Sequence, residues 1–114
     1  MNLSETMKSA FSDMNMNAYP DFYKGDDVEY IVWQYTDERP EVYGDDTDIY
    51  DITSVRVHLF TPNNPKNYKK QIRNRLRRAG FTIMSTGEFY EDDTRYYHIT
   101  VDAQIEGVID DTEE

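Results

Sequence analysis

The sequence predicts an α+β domain in the order α-β-β-α-β-β, a four-stranded, mostly antiparallel sheet with two helices packed on one face. Three observations predict it. The segment Asn64–Gly80, NPKNYKKQIRNRLRRAG, has the start, period and stop of a single helix. Four further stretches are β-branched, aromatic and alternating, with turn residues between them. A chain of 114 residues is also large enough for one core but not for two.

Met1–Asn17 reads as the first helix, because Leu3, Met7, Ala10 or Phe11, and Met14 recur at spacings of three and four. Periodicity then stops from Asn15 to Asp27, where Tyr19-Pro20 favours an extended or turn geometry and Gly25-Asp26-Asp27 marks a turn. Val28–Tyr35, VEYIVWQY, is the first strand and carries large side chains on both faces. One face holds Val28, Tyr30, Val32 and Gln34, the other Glu29, Ile31, Trp33 and Tyr35. Such a strand suits a sheet covered by helices on one side and by a neighbouring subunit on the other.

Thr36–Thr47 is expected to be a polar connection punctuated by Pro40 and Gly44. Asp48–Phe60 is the long antiparallel partner: Ile49, Thr53, Val55, Val57 and Leu59 share one parity, Tyr50, Ile52, Arg56, His58 and Phe60 the other. In the second helix Asn64 is placed to cap the start, Pro65 fits the first turn and Gly80 the left-handed exit. Tyr68, Ile72, Leu76 and Ala79 form its apolar stripe. Phe81–Ser85 and Gly87–Tyr90 read as one strand with an irregularity near Gly87. Arg95–Ile105 closes the sheet, with Tyr97, Ile99, Val101, Ala103 and Ile105 turned inward. Residues 1–107 form one domain, and 108–114 an acidic, frayed tail.

Charge is distributed unevenly. Lys66, Lys69, Lys70, Arg73, Arg75, Arg77 and Arg78 all sit on the second helix, in a chain with 12 Lys and Arg and a net charge of −11. A phosphate backbone would be repelled by every other surface, so contact with nucleic acid is confined to that helix and to DNA passing nearby. The helix face is readable as plain solvated surface, as a surface for an acidic protein partner or neighbouring subunit, or as a nucleic-acid contact.

Searching for chemistry yields little. With no cysteine, disulfide and thiol chemistry are excluded. His58 and His98 stand in predicted strands, with no metal spacing and no nucleophile motif around either. Asp45, Asp46 and Asp48 lack the closing glutamate of the common calcium loop, so the segment Gly44–Asp51 reads first as solvated acids. Neither a phosphate-cradling glycine pattern nor a serine elbow is present. We expect no enzyme, no cofactor and no bound metal. No apolar run approaches 18 residues, and we expect a soluble protein without a membrane partner.

The layout resembles the tail-completion, or tail-terminator, proteins of long-tailed bacteriophages and prophages. The resemblance is carried by YIVWQY at Tyr30–Tyr35, DITSVRVHLFT at Asp51–Thr61, the helix end Leu76-Arg77-Arg78-Ala79-Gly80-Phe81, and EFYEDDTRYYHITVDAQI at Glu88–Ile105. It implies a structural virion protein at the head-proximal end of the tail. A hexameric ring would cap the tail tube, stop its elongation and present the surface that docks the head. Its partners would be further copies of itself, the tail-tube protein and the head-tail connector. Trp33, Tyr35, Tyr50, Arg56 and His58 are the candidate ring contacts, and the seven basic residues of the helix the candidate partner surface. Readings from nearby classes are a head-completion or stopper component of the connector, and a small acidic regulatory protein that imitates nucleic acid. Six copies would carry a net −66 before local pairing, so a monomer or a labile oligomer is expected in dilute, low-salt solution, with the ring completed on the tail.

Overall fold

The computed structural model describes residues 3–42 and 49–106, and the side chains of 3–36 and 52–106. The acidic tail 108–114 lies outside the described residues, as does most of the segment Gly44–Asp51 weighed for a divalent ion. The elements are α1 (Leu3–Ala10), β1 (Asn17–Pro20), β2 (Tyr30–Val42), β3 (Ile49–Thr61), α2 (Lys66–Arg78), β4 (Thr82–Glu91) and β5 (Tyr96–Glu106). They build a two-layer α+β domain, with one five-stranded sheet in the order β1-β2-β3-β5-β4.

The expected four-stranded sheet is thus corrected to five strands of mixed direction, because β1 pairs parallel with β2. At four residues, NAYP is too short to show an alternating pattern, and its pairing supplies what its sequence lacks. The return to β2 needs no helix, since the connection spans only the length of that short strand. It is held by Tyr19 and Asn17, whose side chains donate to Asp27 Oδ2 at 2.6 and 3.2 Å. A Cβ at Gly25 would stand 2.2 Å from the Tyr23 hydroxyl, so any larger residue there must push the Tyr23 ring aside.

α1 is shorter than the expected Met1–Asn17. After Ala10 the chain tightens into turns, with Ser12 N–H bonding Ser9 and Met14 N–H bonding Phe11. The apolar stripe survives, for Leu3, Met7, Phe11 and Met14 are all buried.

β2 runs seven residues beyond Tyr35, through most of what the sequence presents as a polar connection. Asp, Glu and Pro are poor strand formers, but a partner strand already in place overrides that preference. Thr36 is the extra residue, since the register with β3 slips between Tyr35 and Asp37. The irregularity expected near Gly87 falls at Met84 instead, between Ile83 and Ser85 in the β4–β5 register.

α2 follows the sequence closely. Asn64 Oδ1 accepts from Lys66 N–H at 3.0 Å, so it caps the helix from one residue further out than the helix boundary. At the other end Gly80 takes a φ of +102°, its N–H bonds Arg77 and that of Phe81 bonds Leu76. Phe81 and Leu76 are then buried together.

Both helices lie on the same face. Ile72 and Leu76 of α2, Leu3 and Met7 of α1 and Phe11 just after it meet Ile31, Trp33, Val55, Val57, Leu59, Ile99 and Val101 in one core. Each fully buried Leu or Ile contributes roughly 1.5–3 kcal/mol. Among the described residues no helix is long and apolar enough to cross a membrane.

Candidate functional site

Among the described residues, the other face of the sheet carries no helix. Alternation sends Tyr30, Val32 and Gln34 of β2, Arg56, His58 and Phe60 of β3, and His98, Thr100 and Asp102 of β5 to that side. Aromatic rings there form a row that crosses all five strands. Tyr19 stacks on Tyr23 at 4.2 Å between centroids, Tyr23 meets Tyr30 at 4.7 Å, and Tyr30 stacks on Phe60 at 5.0 Å. Phe60 stacks on His98 at 4.3 Å, and His98 meets Phe89 of the edge strand at 6.1 Å. Offset stacking at these distances is worth about 0.5–1.5 kcal/mol per pair beyond area burial.

A polar chain threads the row. His58 Nε2 lies 2.7 Å from Gln34 Oε1, and His58 Nδ1 lies 2.8 Å from His98 Nε2. With Gln34 presenting its carbonyl, the network assigns one neutral arrangement. His58 donates from Nε2 to Gln34 and accepts at Nδ1 from His98 Nε2–H. His98 Nδ1 is left facing the Glu91 carboxylate at 3.8 Å. Burial pushes the His58 imidazole down to about 4, with the neighbouring His98 adding to the effect. Burial also lowers His98, partly opposed by Glu91.

Beside the histidines Arg56 Nε donates to Asp102 Oδ1 at 2.7 Å, and Ser85 Oγ donates to Asp102 Oδ2 at 3.0 Å. The arginine bond holds the Asp102 carboxyl below its ordinary value. Asp21, Phe22, Tyr23, Val32 and Gln34 border a shallow hollow of about 280 Å³ beside this cluster.

At one end of the sheet Glu29 ties three elements together. Its carboxylate accepts from Thr61 Oγ1 of β3, Asn63 Nδ2 and the Tyr68 hydroxyl of α2. Burial opposes its charge, but the three hydrogen bonds hold its pKa below the ordinary value.

α2 presents its cations on the opposite layer. Arg75 is bound to Asp13 at 2.7 Å and Lys69 to Glu88 at 3.3 Å. Lys66, Lys70, Arg77 and Arg78 are exposed and have no ion pair among the described residues. Arg73 is half-buried, and its Nε lacks a partner among the described residues.

The candidate ring residues are therefore dispersed. Arg56 and His58 lie together on the open face. Trp33 lies in the core at 6% exposure, beneath the helices, so it offers a neighbour almost no area. Tyr35 is exposed at 37% near the bulge. Tyr50 belongs to β3, but its side chain lies outside the described ones. The sequence reading missed the aromatic row itself. Its signal was present in the shared parity of His58 and Phe60 and the outward position of His98, whereas Tyr19 and Tyr23 join only through the unforeseen β1. Among the described residues no group of three potential metal ligands occurs.

No protein-family model matches this chain, and no curated protein sequence does. A solved structure does match: the fold is similar to that of one chain in the virion of a native gene transfer agent particle. The similarity has a TM-score of 0.53 at 10% identity, over 93% of this chain and 92% of that one. At that identity the likeness is one of fold.

Proposed function

We propose that the protein is a structural component of a phage-like virion, and within it a tail terminator. The observation that carries this reading is the fold shared with a virion chain along nearly the whole length of both. Two features support it independently. Among the described residues, the sheet leaves an aromatic, ionic face without a helix over it, and α2 turns cations that have no ion pair away from the core. A subunit that works by contact needs such surfaces in different directions, one set for its neighbours in a ring and others for the structures above and below.

In this role the ring caps the tail tube, ends its growth and offers the head-tail connector its docking surface. The chain acts by shape and charge, without a catalytic residue, cofactor or metal. DNA passing through the ring is a contact of secondary weight.

Electron microscopy of particles assembled with and without the protein tests the proposal. Overlong or headless tails in its absence are the expected result. Normal tails joined to heads in its absence overturn it, and unjoined tails of normal length move the protein to the head side of the joint.

A further inference from the structure

The exposed positions of α2 are Lys66, Asn67, Lys70, Asn74, Arg77 and Arg78. None is apolar and none is acidic, and the sequence holds no acid between Asn63 and Gly87. The helical period sets Lys66, Lys70 and Arg77, at i, i+4 and i+11, in one row about 16 Å long. Asn67 and Asn74 form a second row beside it.

Helix stability alone does not explain this arrangement. Cations near a helix N-terminus oppose the macrodipole, and the first turn of α2 carries Lys66 and Lys69 without an acid. Like charges four residues apart, as at Lys66 and Lys70, disfavour the helix further. The acids alongside are already used. Asp13 binds Arg75 at 2.7 Å and also feels the charge of Arg78, and Glu88 binds Lys69 at 3.3 Å. Lys66, Lys70 and Arg77 have no ion pair among the described residues. A polyanion laid along the row would offset both penalties.

The make-up of the face selects the polyanion. A protein interface has an apolar or aromatic centre, and α2 turns none outward. Its Ile72 and Leu76 are buried, and its Tyr68 hydroxyl donates to Glu29. A single strand of nucleic acid needs rings to stack on, which the same face lacks. A duplex backbone needs only cations and amide donors along a straight line. One strand of B-form DNA presents a phosphate about every 3.4 Å of axis, so a 16 Å row faces about five.

We infer that the exposed face of α2 holds the phosphate backbone of double-stranded DNA without reading its sequence. Lys66, Lys70 and Arg77 make the charged contacts, and Asn67 and Asn74 add donors. The net charge of −11 keeps the contact weak and confines it to this helix. The inference rests on the virion reading only for the source of the DNA.

Titration of the full-length chain into a labelled duplex of about 30 base pairs, read by fluorescence anisotropy between about 50 and 200 mM salt, tests it. Three charged contacts predict a log–log salt slope of about −3, a loss of affinity of about 50-fold over that range. Lys70→Gln with Arg77→Gln should weaken binding about tenfold or more at the lowest salt and flatten the slope by about two. Lys24→Gln with Arg95→Gln, at exposed sites outside α2, lowers the net charge by the same two units. That control pair should weaken binding less than about threefold and leave the slope unchanged. Glu88→Gln frees Lys69 and should tighten binding about twofold, a gain that a folding defect does not imitate.

The inference is overturned if anisotropy stays flat up to about 1 mM protein at the lowest salt. It is overturned equally if the helix pair binds like the natural chain, or no worse than the control pair. Tighter binding to a single strand or to duplex RNA of the same length rejects duplex DNA as the occupant. A helix pair that loses tail capping, in a chain that ignores DNA, assigns the row to an acidic protein instead. Tail length in the absence of the protein still decides the terminator role, so the two readings fail separately.

Discussion

The two faces of the sheet are held by different physics. Under the helices the side chains are apolar and buried, so their contribution follows area and volume. On the open face the side chains are half-buried aromatics, histidines and one ion pair, each held by a lateral neighbour in the next strand. The first arrangement makes the fold. The second leaves a shaped, chemically varied surface on the side away from the helices.

Substitutions sharpen that comparison. Leu76→Ala, which empties a fully buried position, should lower unfolding free energy by about 2–5 kcal/mol in urea titration. Glu29→Gln weakens the tie that joins the residue before β2 to β3 and α2 and should lower it by about 2 kcal/mol, since hydrogen bonds to a charged group are worth roughly 1.5–3. Phe60→Ala, at the centre of the aromatic row, should cost only about 1–2 kcal/mol despite removing a larger side chain. If Phe60→Ala were as damaging as Leu76→Ala, the open face would be a second core and the contrast would fail.

pH separates the faces further. His58 is held well below its ordinary 6.5 in the fold, so between 6.5 and about 4 the unfolded chain takes up a proton that the fold refuses. Stability should therefore fall as pH drops through that window, by on the order of 1 kcal/mol for a half-exposed ring. His58→Asn should flatten that part of the urea-midpoint profile. An unchanged slope would mean that His58 is not the titrating group. The carboxylates held low, Glu29 and Asp102, act in the same direction but at lower pH.

The smallest effect is of opposite sign. Thr53 is fully buried on the helix-covered face and its Oγ1 has no hydrogen-bond partner among the described residues. Thr53→Val should raise stability by about 1 kcal/mol, because it removes an unsatisfied hydroxyl without changing shape. A loss on this substitution would place an unseen partner at that oxygen.

By itself the sequence determined what depends on neighbours along the chain. The stripe and both ends of α2 are local, set by Asn64, Tyr68, Ile72, Leu76 and Gly80, and the structure keeps them. Strand parity in β3 and β5 is equally local, so Val55, Val57, Ile99 and Val101 were readable as core. Tertiary structure decided whatever needed a partner distant in sequence. β1 is a strand only because Tyr30–Trp33 lies beside it, and β2 continues through Asp37, Glu38 and Pro40 only because β3 offers a ladder. The same holds for the candidate surface. Alternation told which residues leave the core, but it does not say which face the helices choose, and that choice put Trp33 inside and His58, Phe60 and His98 outside. Local periodicity fixes relative orientation within an element; only packing between elements decides which side meets water.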